Sequence, residues 1–331
     1  MTTEQKITVP ISSMSTKPKI AVLLPCYNEG AAIASVVQGF RRALPTASIY
    51  VYDNNSSDDT IEQARAAGAH VRTETRQGKG NVVCRMFADI DADVFVMADG
   101  DGTYDSSQAP QLVDKLLAGP YDMVNGRRME TAKKNYRPGH RFGNAVLTGL
   151  VGTLFKRQFS DMLSGYKLFS RRYVKSFPGQ SRGFEIETEL TVHALQMGMA
   201  VAEVDTLYSD RVEGTTSKLN TWRDGFRILR TIIRLMKNER PFEFFGLIAA
   251  AFSLLAALLF SPILADYLHT GLVPRFPTLI LISGMGICAA LSLLSGVLLE
   301  AVTLSRQEVR RLRYLSIPVF EVEQGYTTEQ R

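Results

Sequence analysis

Cysteine, histidine and tryptophan are all scarce in this chain, with three, four and one among 331 residues. Cys26, Cys84 and Cys288 lie far apart in apolar or strand-like surroundings. That placement excludes a disulfide framework and cysteine-based metal spacing, and it fits buried or membrane-embedded thiols in a reducing compartment. With so few histidines there is no Ser-His-Asp or Cys-His arrangement, so no side-chain nucleophile with its activating base is visible. The first twenty residues lack a basic-then-apolar pattern, so no signal peptide is expected. Repeats and low-complexity segments are missing too.

Charge is locally absent in two places. Phe242 to Leu264 carries only Glu243, and Pro277 to Leu299 carries no charge at all. Each run is long enough as a helix to cross about 30 Å of hydrocarbon. Arg223, Arg227, Arg230, Arg234, Lys237 and Arg240 precede the first run, and Arg306, Arg310, Arg311 and Arg313 follow the second, while the connection from Ala265 to Phe276 holds only Arg275 as a strong base. The positive-inside rule then places both termini in the cytoplasm and the hairpin loop outside. These flanking bases account for most of the net charge of +5, so no nucleic-acid partner needs to be invoked.

What is present begins at Lys19. Lys19 to Pro25 reads as a buried strand, Ala31 to Leu44 as a helix, Ser48 to Tyr52 as a strand, Thr60 to Ala67 as a helix, Ala69 to Arg72 as a short strand and Gly80 to Ile90 as a helix. This alternation implies an α/β fold with a mainly parallel sheet covered on both faces. Ligands of such sheets sit beyond the carboxyl ends of the strands. Three polar clusters gather there: Asn28-Glu29, the loop from Asp53, and Asp99-Gly-Asp101 after the apolar run Val94 to Ala98. Asp99 and Asp101 are two residues apart, so in extended chain both carboxylates point to one side. Hard oxygen ligands in that arrangement suit Mg2+ or Mn2+ bridging nucleotide phosphates. A polar turn is the alternative reading of the same residues.

From Ser217 to Glu239, Trp222, Phe226, Leu229, Ile233 and Met236 recur at helical spacing beside a basic stripe. Such a helix lies well at a headgroup boundary, with its cations toward lipid phosphate. Packing on its own domain with a solvated basic face is the alternative.

Pro25-Cys-Tyr-Asn-Glu29, Asp53-Asn-Asn-Ser-Ser-Asp58, Gln77-Gly-Lys-Gly-Asn81 and Asp99-Gly-Asp-Gly-Thr-Tyr-Asp105 occur in that order. Arg141-Phe-Gly-Asn144, Asp161-Met-Leu-Ser-Gly-Tyr-Lys-Leu-Phe-Ser-Arg171 and Arg211-Val-Glu-Gly-Thr-Thr-Ser-Lys218 follow. Over roughly residues 19 to 305 the chain resembles family 2 glycosyltransferases of the GT-A fold, and with its terminal hairpin it resembles the polyprenyl-phosphate glycosyltransferases, which include dolichyl-phosphate mannose synthases. The resemblance implies a Rossmann-like catalytic domain over 19–216 after a polar tail over 1–18. A juxtamembrane helix over 217–240, a transmembrane hairpin over 241–305 and a cytoplasmic tail over 306–331 would complete the chain. It implies a nucleotide-sugar donor, UDP-linked by expectation, a polyprenyl-phosphate acceptor such as undecaprenyl phosphate, Mg2+ or Mn2+, and a place in a bacterial inner membrane serving cell-envelope glycan assembly. A homo-oligomer, a tetramer by the same resemblance, is also implied.

Residue roles follow from the matched motifs. Pro25, Tyr27, Asn28, Glu29, Asp53, Lys79, Gly100, Arg211 and Lys218 are expected at the donor, with Asp53 accepting hydrogen bonds from uracil or ribose. A helix N-cap is the other role open to Asp53, although Ser56 or Ser57 would serve there. Asp101 is expected to ligate the metal directly, and Asp99 to contact the nucleotide or a water. Arg137, Arg141, Asn144 and, less directly, Arg127 are expected at the acceptor phosphate, with Arg141 counted as catalytic. Asp161 is a candidate base or an arginine-orienting carboxylate, and Glu185 and Glu187 are further candidates. A phosphate monoester is largely a dianion at neutral pH and needs no base to attack. Two other readings remain: a catalytically silent nucleotide-sugar-binding scaffold, and a processive polysaccharide synthase. The second wants Gln-x-x-Arg-Trp, whereas the lone Trp222 sits in the order Thr-Trp-Arg.

Overall fold

The computed structural model describes residues 17–130, 160–179, 183, 185–209, 230, 233–234, 236–273 and 275–320. Ile20–Cys26 (β1) is apolar throughout and buried along its whole length, as a central strand covered on both faces must be. Gly30–Ala43 (α1) follows, then Ser48–Asp53 (β2), Thr60–Ala66 (α2), His70–Thr73 (β3), Lys79–Asp89 (α3) and Val94–Met97 (β4). Ala109–Leu117 (α4) leads into Met123–Glu130 (β5). Lys167–Ser170 (β6), Arg171–Ser176 (α5), Ile186–Gln196 (α6) and Val201–Tyr208 (β7) complete the sheet. The six elements foreseen between Lys19 and Ile90 lie within a residue or so of their expected bounds.

The seven strands lie in the order β3-β2-β1-β4-β6-β5-β7. Six are mutually parallel, and β6 runs against both β4 and β5. The sheet is therefore mixed at the β6 position. β3, β2, β1 and β4 form the all-parallel half of the sheet.

Alternate residues of each strand feed two cores. Val22, Leu24, Val51, Val94 and Leu168 meet Ile33, Val37 and Phe40 of α1 and Leu112, Val113 and Leu116 of α4. Leu23, Tyr52, Phe95, Met97 and Phe169 meet Val83, Met86 and Phe87 of α3 and Ile186 and Leu190 of α6. On this second face Phe169 stacks on Tyr173 with centroids 4.5 Å apart and takes the edge of Phe87 at 5.6 Å.

Pro241–Thr270 (α7) and Phe276–Leu315 (α8) are both long and apolar enough to cross a membrane. Side chains such as Leu254, Leu268 and Leu291 stand exposed along them, and an apolar surface of this extent marks a membrane or protein contact. The two helices cross closely at Gly296, where a Cβ would come within 3.2 Å of the Phe245 Cβ. α7 begins at the expected point but runs beyond Leu264, through Pro262, to Thr270. Residues 306–315, expected as the start of a tail, continue α8 as helix.

Phe169→Ala removes a ring buried among aromatic neighbours, and it should cost about 3–5 kcal/mol of catalytic-domain stability. Denaturant titration followed by circular dichroism checks this; a loss below about 1 kcal/mol would show that this face tolerates a cavity.

Candidate functional site

The carboxyl ends of β1, β2 and β4 open onto one cleft. Asn28 turns the chain after β1 with φ of 53°, a left-handed value that asparagine tolerates better than most residues. Its Oδ1 accepts from the Ser57 backbone N–H at 2.8 Å, and its own N–H donates to Ser56 Oγ at 2.8 Å. The Glu29 N–H donates to Thr60 Oγ1, and the Gly30 N–H to Asp58 Oδ2. The segment after β1 is thus tied to the segment after β2 by a set of mutual hydrogen bonds. Tyr27 stands exposed at the rim, and Pro25 is buried inside β1 opposite Tyr52.

Asp53 ends β2 and is 1 % exposed. Its Oδ2 accepts from the Ser56 N–H at 3.0 Å, while its Oδ1 is buried without a hydrogen-bond partner. It does not cap α2: the N-cap position is Asp59, which makes no side-chain cap bond, and the preceding Asp58 accepts from the Thr60 N–H. A buried acceptor left open is costly unless a ligand completes it. The neighbouring Asn54 pins the segment opposite, donating to the Glu74 and Arg76 carbonyls and accepting from the Gly78 N–H at 2.6 Å. This fixes the turn at Gly78, which has φ of 126°, and delivers Lys79 as the first residue of α3.

Lys79 Nζ donates to Asp99 Oδ1 at 2.5 Å and to Glu187 Oε1 at 2.6 Å. Burial opposes its charge, but the Asp99 and Glu187 carboxylates outweigh that penalty and hold its pKa well above that of ordinary lysine. Asp101 is buried and accepts at Oδ1 from the Thr103 N–H and, at 2.7 Å, from Thr103 Oγ1. Gly100 lies so close to Cys26 and Glu29 that an added Cβ would come within 2.4 Å of both Cys26 Sγ and Glu29 Oε2. Burial, with Glu29, Asp53 and Asp99 nearby, pushes the Cys26 thiol well up. The cleft floor is therefore strongly negative. Among the described residues, no group of three or more His, Cys, Asp or Glu is arranged to hold a metal ion by itself; Asp99 and Asp101 supply oxygens only, a donor set suited to Mg2+ or Mn2+.

Asp161 turns both oxygens to Arg128, at 2.6 Å from Nε and 2.8 Å from Nη2. Burial would raise its pKa, yet the Arg128 guanidinium holds it below the usual carboxylate value. Of its two expected roles, the geometry is that of an arginine-orienting carboxylate. Arg127, on the other face of β5, is instead engaged bidentately by Asp205 at 2.5 and 2.7 Å in an exposed pair. Arg137, Arg141, Asn144, Arg211, Lys218 and all but the last turns of the amphipathic segment lie outside the described residues. Of that segment Arg230, Ile233, Arg234 and Lys237 are helical and exposed.

Arg128, Asn54, Thr103 and Lys167 carry no role in the sequence reading. Lys167 is wholly buried, with Nζ donating to Asn125 Oδ1 at 2.7 Å, to the Met162 carbonyl at 3.2 Å and to Thr191 Oγ1 at 3.3 Å. Asn125 in turn donates to the Asp161 carbonyl at 2.8 Å, so this lysine braces the Asp161 loop from below. Glu185 precedes the first residue of α6.

The model for Glycosyl transferase family 2 matches residues 21–177. Glycosyltransferase AglJ of Haloferax volcanii is 35% identical over 244 residues, 72% of this chain and 78% of that protein. A dolichyl-phosphate hexose transferase of the same organism is 28% identical over 67% of this chain and 95% of its own length. Among solved structures, glucosyl-3-phosphoglycerate synthase from Mycobacterium tuberculosis in complex with Mn2+, UDP and phosphoglyceric acid superposes with a TM-score of 0.54 at 25% identity, covering 66% of this chain and 78% of that one. The chain belongs to glycosyltransferase family 2.

Desolvation lowers the Lys167 pKa to about 8, against the partly offsetting charges of Asp161, Glu187 and Glu203. Above that value the folded protein has shed a proton that the unfolded chain keeps until about 10.4, so this group makes stability rise with pH across the interval. Lys167→Met should abolish that rise in denaturation curves taken from pH 7.5 to 10. A slope identical to the wild type would remove Lys167 as its source.

Proposed function

We propose that this glycosyltransferase moves one sugar, with inversion, from a UDP-sugar to a polyprenyl phosphate at the cytoplasmic face of a bacterial inner membrane. The domain layout is that expected above, with α8 extended to Leu315. The observation that carries the donor half is the open Asp53 Oδ1 at the end of β2, a buried acceptor suited to the ring N–H of uracil. The two exposed apolar helices, together with the name of the dolichyl-phosphate hexose transferase relative, support a lipid-phosphate acceptor.

Asp99 and Asp101 would hold Mg2+ or Mn2+, as the Mn2+ and UDP in the M. tuberculosis structure support, and the cation when bound neutralises charge on the departing diphosphate. Asp53 receives the base, and the Asn54-braced turn brings Lys79 toward the diphosphate. Glu187 steadies the Lys79 ammonium. Arg128, held at Nε and Nη2 by Asp161, is the guanidinium offered for the acceptor phosphate, and such groups bind phosphate bidentately. An acceptor phosphate held there is already a nucleophile, so orientation and leaving-group stabilisation supply the rate and no base is required.

Purified protein in undecaprenyl-phosphate bilayers, given a panel of UDP- and GDP-sugars, should form a glycolipid detectable by mass spectrometry from a UDP-sugar and a divalent cation. Equal use of polyprenol or of a soluble sugar as acceptor would overturn the reading. Asp101→Asn should lower turnover by roughly a hundredfold or more while circular dichroism stays unchanged; full activity of this variant, or of the wild type in EDTA, would show that the pair holds no metal. Arg128→Ala should weaken use of the lipid phosphate by about 1.5–3 kcal/mol, the worth of a charge-assisted hydrogen bond, with donor affinity kept; an unchanged Michaelis constant for the lipid would place the phosphate elsewhere.

A further inference from the structure

α8 does not stop where its apolar run stops. Glu300 accepts from the Phe242 N–H, at the start of α7, and Thr303 Oγ1 donates to the Asn238 carbonyl. Beyond these contacts the helix continues to Leu315 along the catalytic domain. Arg310 donates to Gln196 Oε1 at 3.2 Å, at the last residue of α6. One turn later the Tyr314 hydroxyl donates to Asp122 Oδ2 at 2.7 Å, and the Tyr314 ring lies under the Arg172 guanidinium at 4.7 Å. Asp122 is 1 % exposed and also accepts from Arg172 and from Ser170 Oγ. This is a built junction, with a buried carboxylate serving three donors from three elements.

Its place in the sheet matters. Asp122 immediately precedes β5 and accepts from the Ser170 N–H at the end of β6, where Ser170 pairs with Val94 at the start of β4. That is the end of the sheet opposite Asp99, Asp101 and Arg128. From Thr303 to Tyr314 the helix advances roughly 16 Å at about 1.5 Å per residue. From Asp122 to Arg128 the strand advances about 20 Å at about 3.3 Å per residue. The helix thus covers a distance close to that between the two ends of the sheet.

We infer that residues 304–315 of α8 form a rigid strut that grips the far end of the sheet and so holds the site-bearing end toward the bilayer, with Tyr314 and Asp122 as positioning residues for transfer to a membrane-embedded acceptor. The inference rests on the lipid-phosphate reading given above. A flexible tether would let the cleft tumble relative to the surface, whereas a continuous helix clamped beyond the site fixes both height and tilt. Part of the rate that orientation supplies then comes from a contact far from the reacting atoms.

The test compares two acceptors with the full-length protein in nanodiscs and in detergent. Tyr314→Ala should lower kcat/KM for undecaprenyl phosphate in nanodiscs about tenfold, the scale of one lost hydrogen bond to a charged group. Transfer to a short-chain prenyl phosphate dissolved in detergent, and UDP binding, should change less than about twofold. Tyr314→Phe keeps the ring over Arg172 and should give an intermediate loss, which separates the contact from misfolding. Equal losses with both acceptors, or no loss with either, would overturn the strut. Amide hydrogen exchange over 306–315 should quicken about tenfold in Tyr314→Ala; unchanged exchange would likewise overturn it. If the wild type used neither prenyl phosphate, the acceptor assignment would fail while the exchange measurement still decided the strut.

Discussion

Like charges held close together are the constraint around which this cleft is organised. Glu29, Asp53, Asp99 and Asp101 gather because they follow or end neighbouring parallel strands, and the first turn of α6 brings Glu187 to Lys79 beside Asp99. Each would repel the others in a medium that screens poorly. The structure answers with backbone and hydroxyl donors rather than water: Ser56 for Asp53, and Thr103 for Asp101. Lys79 answers with a full positive charge between Asp99 and Glu187. What remains is a site whose residual negative charge favours cations and whose open acceptor favours an N–H donor. The loops that supply these donors are fixed by one another, so the chemistry is carried by connected segments instead of isolated side chains.

A second charge arrangement supports the first from below. Lys167 is buried with neutral acceptors only, which is expensive, and it links β5, the Met162 carbonyl and α6 at one point. β6, the one strand that runs backward, is what brings Lys167 beneath Asp161. The reversed strand therefore joins the all-parallel half of the sheet to the half that bears Arg128.

Much of this was legible beforehand, for identifiable reasons. β1 is an unbroken apolar run, α1 repeats Ile33, Val36, Val37 and Phe40 at helical spacing, and Asp99 and Asp101 announce themselves by their separation of two. β6 was hidden because four residues led by a lysine resemble no strand, and β7 because Glu203 and Asp205 interrupt its apolar pattern. The pairing of Lys79 with Glu187 spans 108 positions, beyond any local periodicity. Arg127 and Arg128 are neighbours in sequence, and only the facing of β5 decides which one meets Asp161. The basic residues after Leu304 mark the end of the apolar run, but charge alone does not distinguish a loose tail from a docked helix.

Cys26 carries a consequence for chemical intervention. Its sulfur lies against Gly100, at the floor of the cleft, where a covalent inhibitor would be aimed first. Electrophilic warheads require thiolate, and burial among carboxylates keeps this sulfur protonated. Acrylamides and similar reagents would find it inert, and an inhibitor of this cleft would have to win its residence time through reversible contacts with the polar groups around it instead.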